Sequence, residues 1–215
     1  MAQKKKTNAG KTDGIINLST ITDRQKLIIK NGINTYLYIM DHATTDDLDF
    51  RQVYYDFYLS ARSSVFAQEK TNTQTHTKEP NPNWDAYFKL LHDSKGSESI
   101  KEIVSTLQKN LSSKSLEFSF STKLLHTKNP HNPIYDSKVR TYLKSLGISL
   151  RFDSKHSLDN IEEDWNTLSN WYKVFLNSPD GRGWIAWFDN QFPEGSKISN
   201  EKKVDFIIFA CVDNR

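Results

Sequence analysis

Two residues of this chain have side chains and a spacing that suit chemistry at a sugar carbon. Lys123 lies in the apolar stretch SFSTKLLH, and Asp136 follows 13 residues later in NPIYDSKV, after a turn that contains Pro130 and Pro133. An uncharged lysine amine is a nucleophile, and a nearby carboxylate can stabilise positive charge and carry a proton. The same residues are also typical of a surface lysine and of a helix N-cap, since Asp136 precedes Val139 by three positions. Both interpretations stay open at this level.

Helices are predicted on both sides of this pair. Apolar residues recur at helical spacing over 46–63, 84–91, 100–107, 139–146, 159–176 and 184–192. Ser99 and Glu102 have the spacing of a capping box, and Gly147 suits the end of the helix that Asp136 begins. The last segment, 200–212, is apolar enough to be either a helix or a buried strand. The predicted fold class is mainly α, without βαβ alternation.

Two short segments are predicted to be non-helical. LEFSF, at 116–120, alternates apolar and polar residues and predicts an extended entry into a helix that starts near Lys123. SPDGRG, at 178–183, has the composition of a turn. At a helix start, the positive end of the helix dipole disfavours the ammonium form of Lys123, and the apolar neighbours Leu124 and Leu125 disfavour it by desolvation.

The domain organisation follows from length and composition. The chain has 215 residues, of which 36% are hydrophobic and 26% charged, and this suits one buried core. Residues 1–18 are predicted to be a flexible basic tail, and 19–215 a single compact helical domain. Within it, the segment 69–82 contains no apolar residue and predicts a polar loop.

The net charge of +3 hides a local asymmetry. The segment 101–155 contains ten Lys or Arg and four acids, a net charge of +6, whereas the rest of the chain carries −3. Such a segment suits contact with phosphates, because neutralising them releases condensed counterions. A solvated lysine-rich face is the alternative.

Cysteine content and hydropathy exclude several classes of protein. The single cysteine, Cys211, excludes an internal disulfide framework and a cysteine-based zinc site, and favours a cytoplasmic location. His126 and His131 have no partners at metal-ligand spacing, so no metal or other cofactor is expected. No apolar run approaches the roughly 20 residues that span a bilayer, so no membrane partner is expected.

The segments SFSTKLLH and NPIYDSKV resemble the helix-hairpin-helix base-excision DNA glycosylases, in particular the 8-oxoguanine DNA glycosylase branch and its small prokaryotic relatives. In that family a lysine opens the second hairpin helix, and an aspartate follows a short segment that contains proline. The similarity covers about 25 residues, and the segment KKVDFIIFA near the C-terminus shows a weaker similarity to the same family.

The resemblance implies a helix-hairpin-helix fold and a DNA glycosylase that removes a damaged or modified base from DNA, an activity that can extend to AP lyase. Lys123 takes the position of the imine-forming lysine, and Asp136 that of the catalytic aspartate. Neighbouring polar and basic side chains are then expected to contact nucleic acid: Ser119, Ser121, Thr122, His126, Lys128, His131, Lys138 and Arg140.

Other interpretations of the same sequence lead elsewhere. The position of the family's hairpin glycines is occupied by residues 117–121, which include no glycine. That difference favours a non-catalytic helical protein of a prokaryotic defence system or mobile element, which binds nucleic acid or protein. Arg151 and His156 have an Arg-x4-His spacing that resembles small helical ribonucleases. The five tryptophans are either core residues or base-stacking surfaces: Trp84, Trp165, Trp171, Trp184 and Trp187.

Overall fold

The computed structural model describes residues 16–60, 63–71, 74, 78–111, 116–151 and 157–212, and within them the chain is mainly helical, as predicted. The helices are α1 (Asp23–Asp41), α2 (Leu48–Tyr54), α3 (Ser63–Phe66), α4 (Pro82–Asp93), α5 (Ile100–Asn110), α6 (Phe118–Lys128), α7 (Ser137–Ser145), α8 (Leu158–Asn177), α9 (Pro179–Gln191) and α10 (Asn200–Cys211). A π-helical turn (Tyr55–Leu59) continues α2, and 3-10 turns cover Leu18–Thr20 and Pro193–Gly195. None of the helices described is both long enough and apolar enough to cross a bilayer.

Two predicted helix boundaries are confirmed by their hydrogen bonds. At the start of α5, the Glu102 N–H donates to Ser99 Oγ (3.2 Å) and the Ser99 N–H donates to Glu102 Oε2 (2.7 Å), which is the predicted capping box. Gly147, with a φ of +80°, follows the end of α7. There the Ile148 N–H donates to the Leu143 carbonyl at 2.9 Å, as in helix ends closed by a left-handed glycine.

The predicted extended entry at 116–120 is wrong. α6 begins at Phe118, so Lys123 lies in the second helical turn instead of at the helix start. The helix dipole acts mainly within the first turn, so it contributes little at Lys123. Phe118 and Phe120 are both buried, which accounts for the apolar alternation without a strand.

The predicted turn at 178–183 is also wrong, because α9 begins within it. Ser178 caps this helix by accepting from the Gly181 N–H at 3.0 Å. Gly181 is needed because a Cβ there would collide with the carbonyl group of Phe175 in α8. The glycine therefore permits a close approach of two helices and does not end one.

The predictions for the loop and the tail need correction as well. Strands β1 (Glu69–Thr71) and β2 (Lys78–Pro80) pair antiparallel, with Glu69 opposite Pro80, in the segment predicted to be a loop, and α4 begins at Pro82. Residues 1–15 of the predicted tail lie outside the described residues. Ile16 and Leu18, at its end, pack against the core.

α10 lies at the centre of the helical assembly. It packs against α1, α7, α8 and α9, and every residue from Lys202 to Ile208 is buried. A helix that is surrounded by protein needs no polar face. This explains why the apolar run at 200–212 shows no clear helical period, and it decides the open choice between helix and strand in favour of a helix.

Candidate active site

A cleft with a volume of about 190 Å³ lies between α1, the π-helical turn, α6, the segment before α7, and α10. Both Lys123 and Asp136 line it, so the fold brings the predicted pair to one site. The other charged residues of the lining are Asp56, Lys202 and Asp205. The aromatic walls are Phe57, Tyr58, Phe206 and Phe209.

Lys123 enters the cleft as a desolvated amine. Its Nζ donates to the Tyr58 carbonyl oxygen at 2.8 Å and lies 4.8 Å from the centroid of the Phe120 ring. Burial lowers the pKa of Lys123 to about 8, although the charges of Asp136 and Asp205 act in the opposite direction. The prediction that desolvation favours the neutral amine of Lys123 is therefore confirmed. The pKa is lowered by burial of the side chain and not by the helix dipole.

Asp136 is the N-cap of α7, and it also lines the cleft. Its Oδ1 accepts from the backbone N–H groups of Lys138 and Val139, both at 2.8 Å. The cap uses this single oxygen, so capping does not occupy the whole carboxylate. The two interpretations of Asp136 are thus compatible, because one residue caps the helix and lines the same cleft as the lysine.

Buried hydrogen bonds hold the turn between Lys123 and Asp136. Thr122 Oγ1 donates to the Ser119 carbonyl at 2.8 Å and accepts from the Tyr135 N–H at 3.0 Å, immediately before Asp136. Further along α6, Asn132 Nδ2 donates to the Leu125 carbonyl oxygen at 3.2 Å. These contacts fix the position of Asp136 relative to α6.

His126 belongs to the same buried network. Its Nδ1 lies 2.6 Å from the Asn132 carbonyl oxygen and its Nε2 lies 3.0 Å from the Tyr36 hydroxyl. Because a carbonyl only accepts, Nδ1 carries the proton and Nε2 accepts from Tyr36. Burial lowers the pKa of His126 to about 3, so the ring is neutral.

The predicted nucleic-acid contacts of three residues are therefore wrong. Ser121, Thr122 and His126 are almost completely buried, and each forms hydrogen bonds within the protein. α6 is enclosed by protein on nearly all sides, so local sequence could not show that these polar side chains point inward.

The other predicted contact residues lie on several surfaces. Lys138 does not line the cleft, but its Nζ donates to the carbonyl oxygen of the cleft residue Phe209 at 2.7 Å. Lys128 donates to the His92 carbonyl oxygen at 3.3 Å, and His131 pairs with Glu201 at 3.3 Å. Of the two remaining predicted contact residues, Ser119 is half-buried. Arg140 is exposed and lines a separate groove with Lys144. The structure does not gather them into one surface around the cleft.

Lys202 and Asp205 are site residues that the sequence prediction missed. Lys202 Nζ donates to Asp205 Oδ2 at 2.6 Å, and both side chains are almost fully buried. The Nζ atom also lies 4.6–5.3 Å from the centroids of four rings, those of Tyr36, Phe57, Tyr58 and Phe206. The sequence feature that could have revealed this pair is a lysine and an aspartate three positions apart within the apolar run KKVDFIIF.

The lining charges give the cleft a formal net charge of −1, from two lysines and three aspartates. The site as a whole is therefore not basic. Within the described ranges, no group of three His, Cys, Asp or Glu side chains could hold a metal ion.

The competing sequence features lie elsewhere. Trp84 and Trp184 are buried, and Trp165, Trp171 and Trp187 are half-buried against the core. None of the five lines the cleft. Arg151 is paired with Glu163, and its proposed partner His156 lies outside the described residues.

Fold and site together define a mainly helical protein with a lysine–carboxylate cleft walled by aromatic rings. Comparisons with protein-family models, with curated proteins and with solved structures found no match to this chain.

Proposed function

We propose that this protein is a DNA glycosylase of the helix-hairpin-helix type that forms an imine through Lys123 and can also cleave the strand as an AP lyase. One observation carries the proposal: a lysine whose pKa is lowered to about 8 shares an aromatic-walled cleft with Asp136. At pH 7 about one Lys123 in ten is then an uncharged nucleophile, far more than for an ordinary lysine.

The reaction begins with a nucleotide flipped out of the helix, since its C1′ atom is inaccessible inside a duplex. Lys123 Nζ attacks C1′, and the glycosidic bond breaks with its electron pair leaving on the base. One amine proton is transferred to the base and the second to O4′ as the C1′–O4′ bond opens, which leaves an imine. In the lyase step a C2′ proton of the imine passes to water, a C2′–C3′ double bond forms, and the C3′–O bond breaks with its electron pair leaving on the 3′ phosphate.

Asp136 supplies the negative charge that these reaction steps need. Positive charge develops on the sugar as the glycosidic bond breaks, and a carboxylate fixed in the same cleft stabilises it. The backbone N–H groups that bind Oδ1 hold the side chain in place throughout. The other oxygen can then carry a proton between the amine and O4′.

Borohydride reduction of a mixture with abasic-site DNA tests this proposal. We expect a covalent adduct with the unmodified chain and its loss in Lys123→Gln. Lys89→Gln is the matched control, because Lys89 is an exposed lysine on α4 paired with Asp93. An adduct that survives Lys123→Gln would exclude Lys123 as the amine.

Asp136→Asn separates catalysis from capping. Asparagine caps helices about as well as aspartate, so we expect an unchanged melting temperature together with an imine yield lowered at least tenfold. Asp47→Asn is the matched control, because Asp47 caps α2 by accepting from the Phe50 N–H at 2.7 Å and does not line the cleft. Equal losses of activity in both variants would count against a catalytic Asp136.

A non-catalytic binding protein is the second candidate, and one observation favours it. The first turn of α6, where the resembled family binds a phosphate, contains no glycine and is mostly buried. A protein of this kind would bind DNA and give no adduct with abasic or modified DNA at any pH from 7 to 9. That result in the borohydride experiment would favour this candidate.

A further inference from the structure

The buried pair Lys202–Asp205 contains one polar atom without a partner among the residues that the structure describes. Asp205 Oδ2 accepts from Lys202 Nζ at 2.6 Å, whereas within the described ranges Asp205 Oδ1 is buried and has no hydrogen-bond partner. Asp205 lines the same cleft as Lys123. Because buried polar atoms in proteins are nearly always hydrogen-bonded, an unpaired carboxylate oxygen on a residue that lines a cleft points to a ligand that donates to it.

The pair presents a donor directly beside an acceptor. An ammonium only donates and an ionised carboxylate only accepts, and their mutual bond holds the two groups in adjacent positions. The Lys202 ammonium is enclosed by four aromatic rings, which restricts its movement. A ligand that matches this arrangement carries an acceptor and an N–H donor on neighbouring atoms.

We propose, resting on the glycosylase function proposed above, that Lys202 and Asp205 read the edge of the flipped base and select a lactam. A lactam is a ring with a carbonyl oxygen beside an N–H, as in guanine derivatives, hypoxanthine and uracil. Lys202 donates to the carbonyl oxygen, and Asp205 Oδ1 accepts from the N–H.

Charge development favours a lactam over adenine, and the required N–H favours it over cytosine, whose carbonyl lies beside a ring nitrogen that carries no proton. The electron pair of the broken glycosidic bond leaves on the base, and a carbonyl conjugated with that nitrogen takes up part of the negative charge. An ammonium at this oxygen binds the transition state more strongly than the ground state, which is the condition for a faster reaction. Adenine, without a carbonyl, gains no such stabilisation.

The dimensions of the cleft suit a single base. Its volume of about 190 Å³ lies below the roughly 300–1,000 Å³ of pockets that hold drug-sized ligands. Phe57 and Phe206 provide ring surfaces against which a base can stack, and half-exposed Phe209 lies at the mouth.

The test measures base excision and imine trapping separately on the same duplex. Probes carry hypoxanthine, uracil, 8-oxoguanine, adenine, cytosine or an abasic site at one position. We expect at least one lactam to be excised at least tenfold faster than adenine and cytosine. Methylating the lactam N–H of that base should lower excision at least tenfold.

Variants then assign the selectivity to the pair. Asp205→Asn should lower lactam excision at least tenfold while trapping at the abasic site, which has no base to read, falls less than threefold. The double variant Lys202→Met with Asp205→Leu covers the case in which Asp205→Asn fails to fold, since apolar residues of similar size often replace a buried ion pair without loss of stability. The matched control is Lys89→Met with Asp93→Leu, an exposed pair on α4.

The outcomes distinguish this inference from the function on which it rests. Abasic-site trapping with equal excision of lactam and amino bases overturns the selectivity and leaves the glycosylase proposal standing. A parallel loss of trapping and excision in folded pair variants shows a structural role and also overturns it. Absence of trapping on every probe overturns both proposals.

Discussion

At the scale of the residue, the desolvation that lowers the pKa of Lys123 also lowers the stability of the fold. The folded-state pKa of about 8 lies below the 10.5 of an unfolded lysine, because burial disfavours the ammonium. Below pH 8 both states hold the proton and the full penalty applies. Between pH 8 and 10.5 the unfolded state binds more protons, so stability rises with pH through this window. Active sites often carry such a conflict between stability and function.

Lys123→Met should therefore stabilise the protein while abolishing imine formation. At pH 7 we expect the free energy of unfolding to increase by about 1–2 kcal/mol. This is less than the full pKa shift implies, because the Lys123 residue is only partly buried and the variant loses the hydrogen bond to the Tyr58 carbonyl oxygen. The gain should shrink as pH rises from 8 to 10. Urea unfolding at several pH values measures both effects, and a variant less stable than the parent at pH 7 would contradict the desolvation argument.

At the scale of the element, the cleft depends on how closely α1 and α10 approach. A Cβ at Gly32 would lie 2.7 Å from Phe206 Cε1, so only glycine lets this ring rest against α1. The Phe206 ring also contacts Lys202, and the ring centroid lies 4.6 Å from Lys202 Nζ. The position of one aromatic wall is thus determined by a glycine on the neighbouring helix.

Gly32→Val should displace the Phe206 ring and narrow the cleft. We expect a loss of about 1–3 kcal/mol in stability from overpacking, and a larger proportional loss of base excision than of abasic-site trapping. Gly183→Ala is the control, since a Cβ there meets no atom within 4 Å. Thermal unfolding and excision rates at a temperature where both variants are folded provide the measurement, and unchanged excision in folded Gly32→Val would argue against this role for Phe206.

At the scale of the whole molecule, tertiary contacts redistribute the positive charge of the segment 101–155. Lys101 bonds to Asp159 at 3.0 Å and to Glu162 at 2.7 Å, and Arg151 pairs with Glu163, all acids of α8. These pairs offset part of the local excess of +6. On α7, Lys138 bonds to the cleft residue Phe209, and Arg140 and Lys144 line a separate groove.

DNA affinity should therefore depend on salt through α7. If Lys138 and Arg140 each neutralise one phosphate, then Lys138→Gln or Arg140→Gln should reduce the slope of log K against log salt concentration by about 0.9. Lys89→Gln, at an exposed position of α4, should leave the slope unchanged. Fluorescence anisotropy between 50 and 200 mM salt measures the slopes, and equal slopes for all three variants would place the phosphate contacts elsewhere.

Local sequence determined the helical character of this protein and its main caps, because periodicity and capping depend on residues only three or four positions apart. It also indicated Lys123 and Asp136, 13 positions apart, as a candidate pair. Tertiary structure decided what these patterns could not express. It enclosed α10, which is why the apolar residues of that helix show no helical period, and it turned Ser121, Thr122 and His126 inward. It also brought Lys202 and Asp205 into the same cleft as Lys123, from about 80 positions away in the sequence. The lowered pKa of Lys123 belongs to the same class of property. Desolvation is the sum of contacts from distant elements, and no single segment of the chain contains it.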